Sequence, residues 1–520
     1  MRSSGPSVFN LTPLLHGYAA FRTVALNLSD AASAQTVLLR RLLRQAAATR
    51  FGKDHEFSTI SDITTYQARV PLRTYDDFHR HYWQREFPRL VDCTWPGLIP
   101  YFALSSGTTT GKSKYIPCSR DALIANRRGL CDVLVHHLAN RPESQVLAGK
   151  SLVLGGSTAL TEEAPGVFSG DLSGIEASEV GWWEAPWVLP PKELALTADW
   201  EAKIDRLAHL AITEDIRAIS GAPNWLLLFF DKLLSLTPNQ HTLVACFPQL
   251  ELIIHGGIGF GPYRERFRQL MAGGRAETRE VYFASEGLMA IADRDDGEGL
   301  RLVLDGGVFF EFVPVTEISS TRPTRLWIEN VEIDVEYAVV VSACAGLWSY
   351  VLGDTVRFVD LRPPRVLITG RTSYVLSTVG EHLIAEEIEE AIRFTSEACG
   401  VSVTDYAVGS LPQNGAGGTA QHLFVVEITT ASPRAGLPIE MGRNIDKRLM
   451  RLNRDYSEHR AHDYGLKPPQ VWIVRPGAFA QWMKKRGKLG GQHKVPRIIS
   501  DAQLFADLKS HASSSTWRSS

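Results

Sequence analysis

Hydrophobic positions along this chain change period several times, and those changes lay out its elements. Between residues 32 and 48, Val37, Leu38, Leu39, Leu42 and Leu43 recur at helical spacing with arginines between them, and Gly52 lies just beyond. That pattern predicts a helix near the start of the chain. Short apolar runs suited to buried strands follow at 152–154, 252–254, 279–283 and 301–304. They alternate with amphipathic stretches at 200–213, 224–236 and 263–271. Strand–helix alternation predicts an α/β architecture. From 309 to 359 the pattern turns β-rich, with runs at 309–313, 324–329, 336–342 and 355–359. That stretch predicts a small β subdomain packed beside the sheets. A break comes at Gly370-Arg371-Thr372-Ser373, read as a hinge. Beyond it the periods predict a smaller α+β unit, with helices at 385–394 and 440–456 and strands at 423–429 and Gln470–Val474. The serine-rich end, 510–520, is expected to fray. Two domains result, 1–371 and 372–520, and no internal repeat is visible.

One loop carries the first chemistry. Ser105-Ser106-Gly107-Thr108-Thr109-Thr110-Gly111-Lys112-Ser113-Lys114 follows the apolar run 98–104. Backbone N–H groups and hydroxyls donate to phosphate oxygens, glycines admit close approach, and lysine adds charge. A P-loop needs four residues between its first glycine and the Gly-Lys-Ser/Thr. Only Thr108, Thr109 and Thr110 separate Gly107 from Gly111. The loop is one residue short, and three threonines in a row suit an adenylate-forming enzyme better. Taken alone, the same loop reads equally well as a turn between a strand and a helix.

Further motifs follow in order. They are Tyr282-Phe283-Ala284-Ser285-Glu286, then Tyr350-Val351-Leu352-Gly353-Asp354, then Gly487-Lys488 and His493-Lys494-Val495-Pro496-Arg497. With the loop, they match Ser-Ser-Gly-Thr-(Ser/Thr)-x-Gly-x-x-Lys, Tyr-x-x-Ser-Glu and Tyr-x-x-Gly-Asp without gaps. Thr49-Arg50-Phe51-Gly52-Lys53-Asp54-His55, Ile219-Ser220-Gly221-Ala222-Pro223, His255-Gly256-Gly257 and Val379-Gly380-Glu381-His382-Leu383 fit the same pattern. On these residues, from about 38 to about 497, the chain resembles the auxin-responsive promoter family of acyl acid–amido synthetases, in its bacterial branch. That family lies within the acyl-adenylate-forming superfamily. Each motif alone is weak, and the ordered set is specific.

The resemblance implies a large N-terminal adenylate-forming domain and a smaller, mobile C-terminal α+β domain. It implies ATP and Mg2+ as cofactors. A carboxylic acid would be adenylated with release of pyrophosphate, and an amine, in the family an amino acid, would then take the acyl group. Positioning and charge stabilisation carry such chemistry, so no Ser–His–Asp arrangement is required. Ser105, Ser106, Gly107, Thr108 and Thr109 would bind the β- and γ-phosphates, with charge from Lys114. Glu286 would hold the metal, because Mg2+ takes one or two carboxylates plus phosphates and water. Its plain alternative is a surface glutamate after a strand. Tyr282 or Phe283 would stack on adenine, in the Tyr-x-x-Ser-Glu motif that also carries Ser285. Asp354 would accept from the ribose hydroxyls, against the alternative of an ordinary turn aspartate. Arg371 would touch ribose or α-phosphate, against an interdomain salt bridge. Lys494 matches the amido synthetases as the catalytic lysine, and Lys488 matches the wider superfamily. A solvated basic tail is the alternative for both. Ser373 stands where many superfamily members have Asp or Lys.

Other features read as structural. His255 follows an apolar strand and suits a core histidine. Trp182, Trp183 and Trp187 suit a surface loop or an acyl pocket. Arg127 and Arg128 suit a solvated face, or a grip on a distal acid group of the substrate.

Composition narrows the partners. The chain has 520 residues, 44% hydrophobic and 22% charged, with a net charge of −2. That excludes a strongly basic nucleic-acid binder. Its six cysteines are far apart with no Cys-x-x-Cys, which argues against a zinc site and a disulfide framework. A cytoplasmic protein without a membrane span or signal peptide is expected, acting on small molecules. Two rival readings stand beside the amide ligase: an acyl-CoA or carrier-protein thioester ligase, and a nucleotide-binding regulatory protein without turnover.

Overall fold

A computed structural model describes residues 8–105, 114–155, 159–197, 199–237, 241–318, 320–372, 376, 383–411, 420–430, 433–453, 456–457, 460, 466–487, 495–499 and 501–516. The strands, in chain order, are β1 (Tyr101–Ser105), β2 (Lys114–Cys118), β3 (Lys150–Leu154), β4 (Thr161–Ala164), β5 (Val167–Gly170), β6 (Val188–Leu189), β7 (Ile216–Gly221), β8 (Leu252–Gly256), β9 (Glu277–Ala284) and β10 (Gly287–Ile291). They continue with β11 (Leu300–Leu302), β12 (Val308–Pro314), β13 (Leu326–Trp327), β14 (Glu336–Ala343), β15 (Leu347–Leu361), β16 (Pro364–Arg371), β17 (Val403–Leu411), β18 (Gln421–Ile428), β19 (Gln470–Val474) and β20 (Ile498–Ile499). The helices used below are α1 (Thr12–Leu28), α2 (Ala31–Ala46), α3 (Arg120–Asn140), α4 (Leu172–Ser178), α5 (Trp200–Ala211), α6 (Pro223–Ser235), α7 (Arg264–Leu270), α8 (Ala385–Cys399), α9 (Leu437–Leu452), α10 (Ala478–Lys485) and α11 (Ala502–Ser515).

The chain divides into two compact units. In the first, described residues form a four-stranded sheet, β2-β1-β5-β4, and a twelve-stranded sheet, β13-β12-β14-β15-β16-β11-β10-β9-β8-β7-β3-β6. The run β6, β3, β7, β8, β9 is parallel. Parallel neighbours need crossovers, and α5 and α6 flank β7 in sequence as such connections. Helix α2 is capped by the Asp30 side chain on the Ser33 N–H. It buries Leu38, Leu39, Leu42 and Leu43 in the largest core, turning its arginines outward.

The β-rich stretch forms strands as expected, and the structure adds how it joins the rest. Its strands β12 to β16 extend the large sheet, with β16 pairing to β11 through Leu300↔Val366. Period shows that these residues are strands, but the pairing of their edges is a long-range choice. Helix α1 is also new. It has apolar residues on all sides, so no helical stripe announces it.

The second unit gathers residues 369–520 with the segment Gly259–Leu270. Its described strands form one sheet, β19-β18-β17-β20. Alternate residues of β17 and β18 face opposite ways. Tyr406, Val408, Phe424 and Val426 pack with α8 and α9. Ala407, Leu423 and Val425 pack with Phe479 and Trp482 of α10 and Phe505 and Leu508 of α11. The expected frayed end is therefore helical as far as Ser515. Phe505, Leu508 and Ala512 recur on one face and are buried, which outweighs the serines.

Candidate active site

The site is built from two hairpin junctions and one irregular step within a strand, all in the first unit. The first joins β1 to β2, which pair antiparallel through Ser105↔Lys114. That pair closes the base of the Ser/Thr/Gly-rich loop. Ser106, Gly107, Thr108 and Thr109 lie outside the described residues. Lys114 holds its ammonium 5.6 Å from the centre of the Tyr75 ring. The Tyr75 hydroxyl accepts from the Tyr115 N–H at 3.0 Å, so the strand after the loop is pinned at its first step.

The second junction is the β9–β10 hairpin. Ala284 pairs with Gly287, which leaves Ser285 and Glu286 as the two turn residues. Gly287 has φ +147°, a conformation that favours glycine, and its missing Cβ would lie 3.4 Å from Val308. Glu286 is only 8% exposed. The plain alternative of a surface glutamate does not hold. Asn126 of α3 braces this turn by accepting from the Leu288 N–H at 3.1 Å. Nothing in the motif text marked Asn126. Its signal is only that a buried amide sits on the helix after the loop.

The third is β15, where Gly353 at φ +90° precedes Asp354. The Tyr282 hydroxyl donates to Asp354 Oδ2 at 2.7 Å across 72 residues of sequence. Tyr-x-x-Ser-Glu and Tyr-x-x-Gly-Asp therefore meet. Tyr282 is 6% exposed, and its hydroxyl orients the carboxylate. Phe283 packs against the largest core. Arg371 ends β16 and falls within the second unit. Ser373, Lys488 and Lys494 lie outside the described residues.

Arg497 closes the segment for which a solvated basic tail was the alternative reading, and it is pinned inside the second unit. Its guanidinium donates to Asp405, to the Tyr263 hydroxyl and, at 3.0 Å, to the Tyr406 carbonyl. It lies 4.3 Å from the centre of the Tyr406 ring. The Val408 N–H donates to the Arg497 carbonyl at 2.8 Å. The chain is thus anchored three residues after Lys494.

The features read as structural resolve one by one. His255 is buried, 3.8 Å from Asp296. Gly256 is required by packing, since a Cβ there would lie 2.3 Å from the Val281 carbonyl oxygen. Trp182 and Trp183 are exposed, and the Trp187 indole donates to the Phe9 carbonyl at 2.9 Å. Arg127 and Arg128 each face an acid of the chain itself, Glu176 at 3.5 Å and Asp305 at 3.1 Å. Burial pushes the Glu176 carboxyl up to about 7, although Arg127 and Asn126 pull it back. Among the described residues no three His, Cys, Asp or Glu side chains converge as a metal cage. A single carboxylate at a turn suits Mg2+, which takes its other ligands from phosphate and water.

The chain and its fold are similar to known proteins. Profiles of one family match successive segments: the GH3 family N-terminal domain at 22–173, its central domain at 301–371 and its C-terminal domain at 386–503. A probable indole-3-acetic acid-amido synthetase of Oryza sativa subsp. japonica is 28% identical over 268 residues, 48% of this chain and 60% of that protein. An indole-3-acetic acid-amido synthetase of Arabidopsis thaliana is 23% identical over 354 residues, 64% of this chain and 57% of that protein. The chain thus spans about three fifths of the length of these curated relatives. Among solved structures, the GH3.15 acyl acid amido synthetase superposes with a TM-score of 0.78 at 16% identity, covering 99% of this chain and 98% of that one. A 2-hydroxyisobutyryl-CoA ligase in its postadenylation state gives 0.60 at 14% identity, covering 92% and 91%.

Proposed function

The chain belongs to the GH3 family, and from that premise we propose that it is an ATP-dependent, AMP-forming ligase joining a carboxylic acid to an amine. The observation that carries the reading is the Tyr282–Asp354 hydrogen bond, which unites two motifs beside the Glu286 turn. A carboxylate is a poor electrophile because its leaving group would be oxide. The acid's oxygen attacks the α-phosphorus of ATP, pyrophosphate leaves, and an acyl-AMP anhydride forms. The amine then attacks the acyl carbon, AMP leaves, and the amine gives up a proton.

The residues divide this work. Ser105, Ser106, Thr108 and Thr109 hold the β- and γ-phosphates, with Gly107 admitting their backbone and Lys114 adding charge. A carboxylate offers about four acceptor sites. At Asp354 the Tyr282 hydroxyl donates to Oδ2 and orients the carboxylate, which in this reading accepts from the ribose hydroxyls. Tyr282, Ser285 and Arg371 line the nucleotide. Glu286 would hold Mg2+, which neutralises charge on the phosphates when bound. A lysine of the C-terminal domain, Lys494 ahead of Lys488, meets the α-phosphate in the transition state. An amino acid is the favoured amine. The six cysteines are free thiols, which fits a reducing cytoplasm, and among the described residues no helix is long and apolar enough to cross a membrane.

Acid-dependent exchange of pyrophosphate into ATP, scanned over a panel of carboxylic acids, tests the reading. AMP and pyrophosphate should form, and an amino acid should discharge the adenylate to an amide. ADP as the product would refute adenylation. Discharge only by coenzyme A would replace the amide ligase with a thioester ligase, and ATP binding without turnover would leave the regulatory reading.

A further inference from the structure

Helix α1 is apolar on every side and yet lies at the surface. Its inner face, Thr12, Leu15, Ala19 and Arg22, is buried. Leu15 and Ala19 join a core with Val135 and Leu138 of α3. Arg22 is the only charged residue of the helix outside its histidine, and it is spent inward, on Asp132 at 2.6 Å and Asp305 at 2.8 Å. Its outer face carries Leu14, Tyr18, Phe21, Val24 and Leu28, which with Phe9 just upstream are 39% to 80% exposed. A helix hydrophobic all round is ordinarily buried. Scattered exposed apolar residues are normal, but a continuous stripe marks an interaction surface.

The stripe's order names its occupant. Leu14 and Leu28 stand seven residues on either side of Phe21, and Tyr18 and Val24 stand three on either side. The pattern reads the same from both ends. A two-fold interface requires a patch complementary to itself, residue i meeting j while j meets i. We propose that α1 packs antiparallel against α1 of a second copy of this chain, with the two-fold axis beside Phe21. Leu14 then faces the partner's Leu28, Tyr18 faces the partner's Val24, and Phe21 meets its own mate. The stripe spans about 21 Å at 1.5 Å per residue. With Phe9 it offers on the order of 700 Å² per copy, taking about 150–250 Å² for each aromatic side chain and less for leucine and valine, each scaled by its exposure. That approaches the ~800 Å² per partner of a stable interface and exceeds the ~300–600 Å² patch of a typical monomer. No like charges oppose each other across the seam, because the outer face bears none. The same lack of lysine and arginine disfavours an anionic lipid surface, which such basic residues attract.

Sedimentation velocity of the full chain over a hundredfold range of loading concentration tests this. Wild type should show a monomer–dimer equilibrium. Phe21→Glu places two carboxylates together at the axis and should weaken the dimer at least a hundredfold, since like-charge juxtaposition costs several kcal/mol. Leu28→Glu should also weaken it. Val37→Glu, an exposed apolar position on α2, should not. Circular dichroism melting should show all three variants folded, as each site is already exposed. A wild type monomeric throughout would overturn the proposal, as would a dimer indifferent to Phe21→Glu. A monomer that cosediments with phosphatidylcholine–phosphatidylglycerol vesicles, and loses this with Phe21→Glu, would overturn it in favour of a lipid surface. A dimer that forms only after deletion of residues 1–7 would assign the stripe to the chain's own N-terminal segment.

Discussion

Tyr282→Phe is the sharpest test of the site, because it removes one oxygen and nothing else. The ring keeps its place in the core, so no cavity opens. The lost contact is the 2.7 Å donation to Asp354. A hydrogen bond to a charged group contributes about 1.5–3 kcal/mol. Asp354 is only partly buried, so water can replace the hydroxyl, and the loss in folding stability should fall below that range, at the ~0.5–1.5 kcal/mol of an ordinary hydrogen bond. Catalysis should suffer more. If Asp354 must face the ribose in one orientation, the full contribution falls on nucleotide binding and adenylation. At 1.36 kcal/mol per tenfold, kcat/KM for ATP should drop about tenfold to a hundredfold. Pyrophosphate exchange with a fixed acid at varied ATP, run beside thermal melts, separates the two effects. Asp354→Asn completes a double-mutant cycle, in which the combined loss should be clearly less than the sum because the two groups act as one. If Tyr282→Phe melts earlier but adenylates with unchanged kcat/KM for ATP, the bond is only structural and the ribose assignment of Asp354 fails.

Three further outcomes are expected. Glu286→Gln keeps the turn's shape but removes the metal's charge partner, so adenylation should fall ~10²-fold or more; unchanged turnover at limiting Mg2+ would remove Glu286 from the metal. Lys494→Ala should cripple adenylate formation with ATP affinity nearly intact, because its contact is made in the transition state, while supplied acyl-adenylate still reacts with amine; a stronger defect in Lys488→Ala would reverse the choice of lysine. Glu176, raised from 4.5 to about 7 in the fold, binds its proton more tightly folded than unfolded. Its contribution is therefore fully present below about 4.5 and is lost as pH rises through about 7. Glu176→Gln should flatten that part of the melting-temperature profile and raise stability at pH 8; identical pH profiles for variant and wild type would show that the carboxyl is not held protonated.

The strand run at 279–283 was legible because an apolar period is local. The two-residue turn at Ser285 and Glu286 was not, because it follows from the antiparallel return of β10 onto β9. The helix after the hinge and the strand Gln470–Val474 do announce themselves by pattern. Asn126 and Glu176 did not, since an amide and a carboxylate on helices look solvent-facing until the neighbouring chain covers them.

What the residues determined by themselves is many of the strands and helices and the ordered motifs, since each depends on neighbours within a few positions. The tertiary structure decided which backbone edges pair, so that β12 to β16 lengthen the large sheet instead of forming their own. It decided that Tyr282 meets Asp354, that Arg497 is an internal anchor and not a tail, and that α1 turns its one arginine inward and Leu14, Phe21 and Leu28 out. The physical reason is common to all four. Hydrophobic period records that a side chain is buried or a strand is formed, but a hydrogen bond or ion pair between distant segments is chosen only when the whole chain has packed, and polar groups buried by that packing must then find partners.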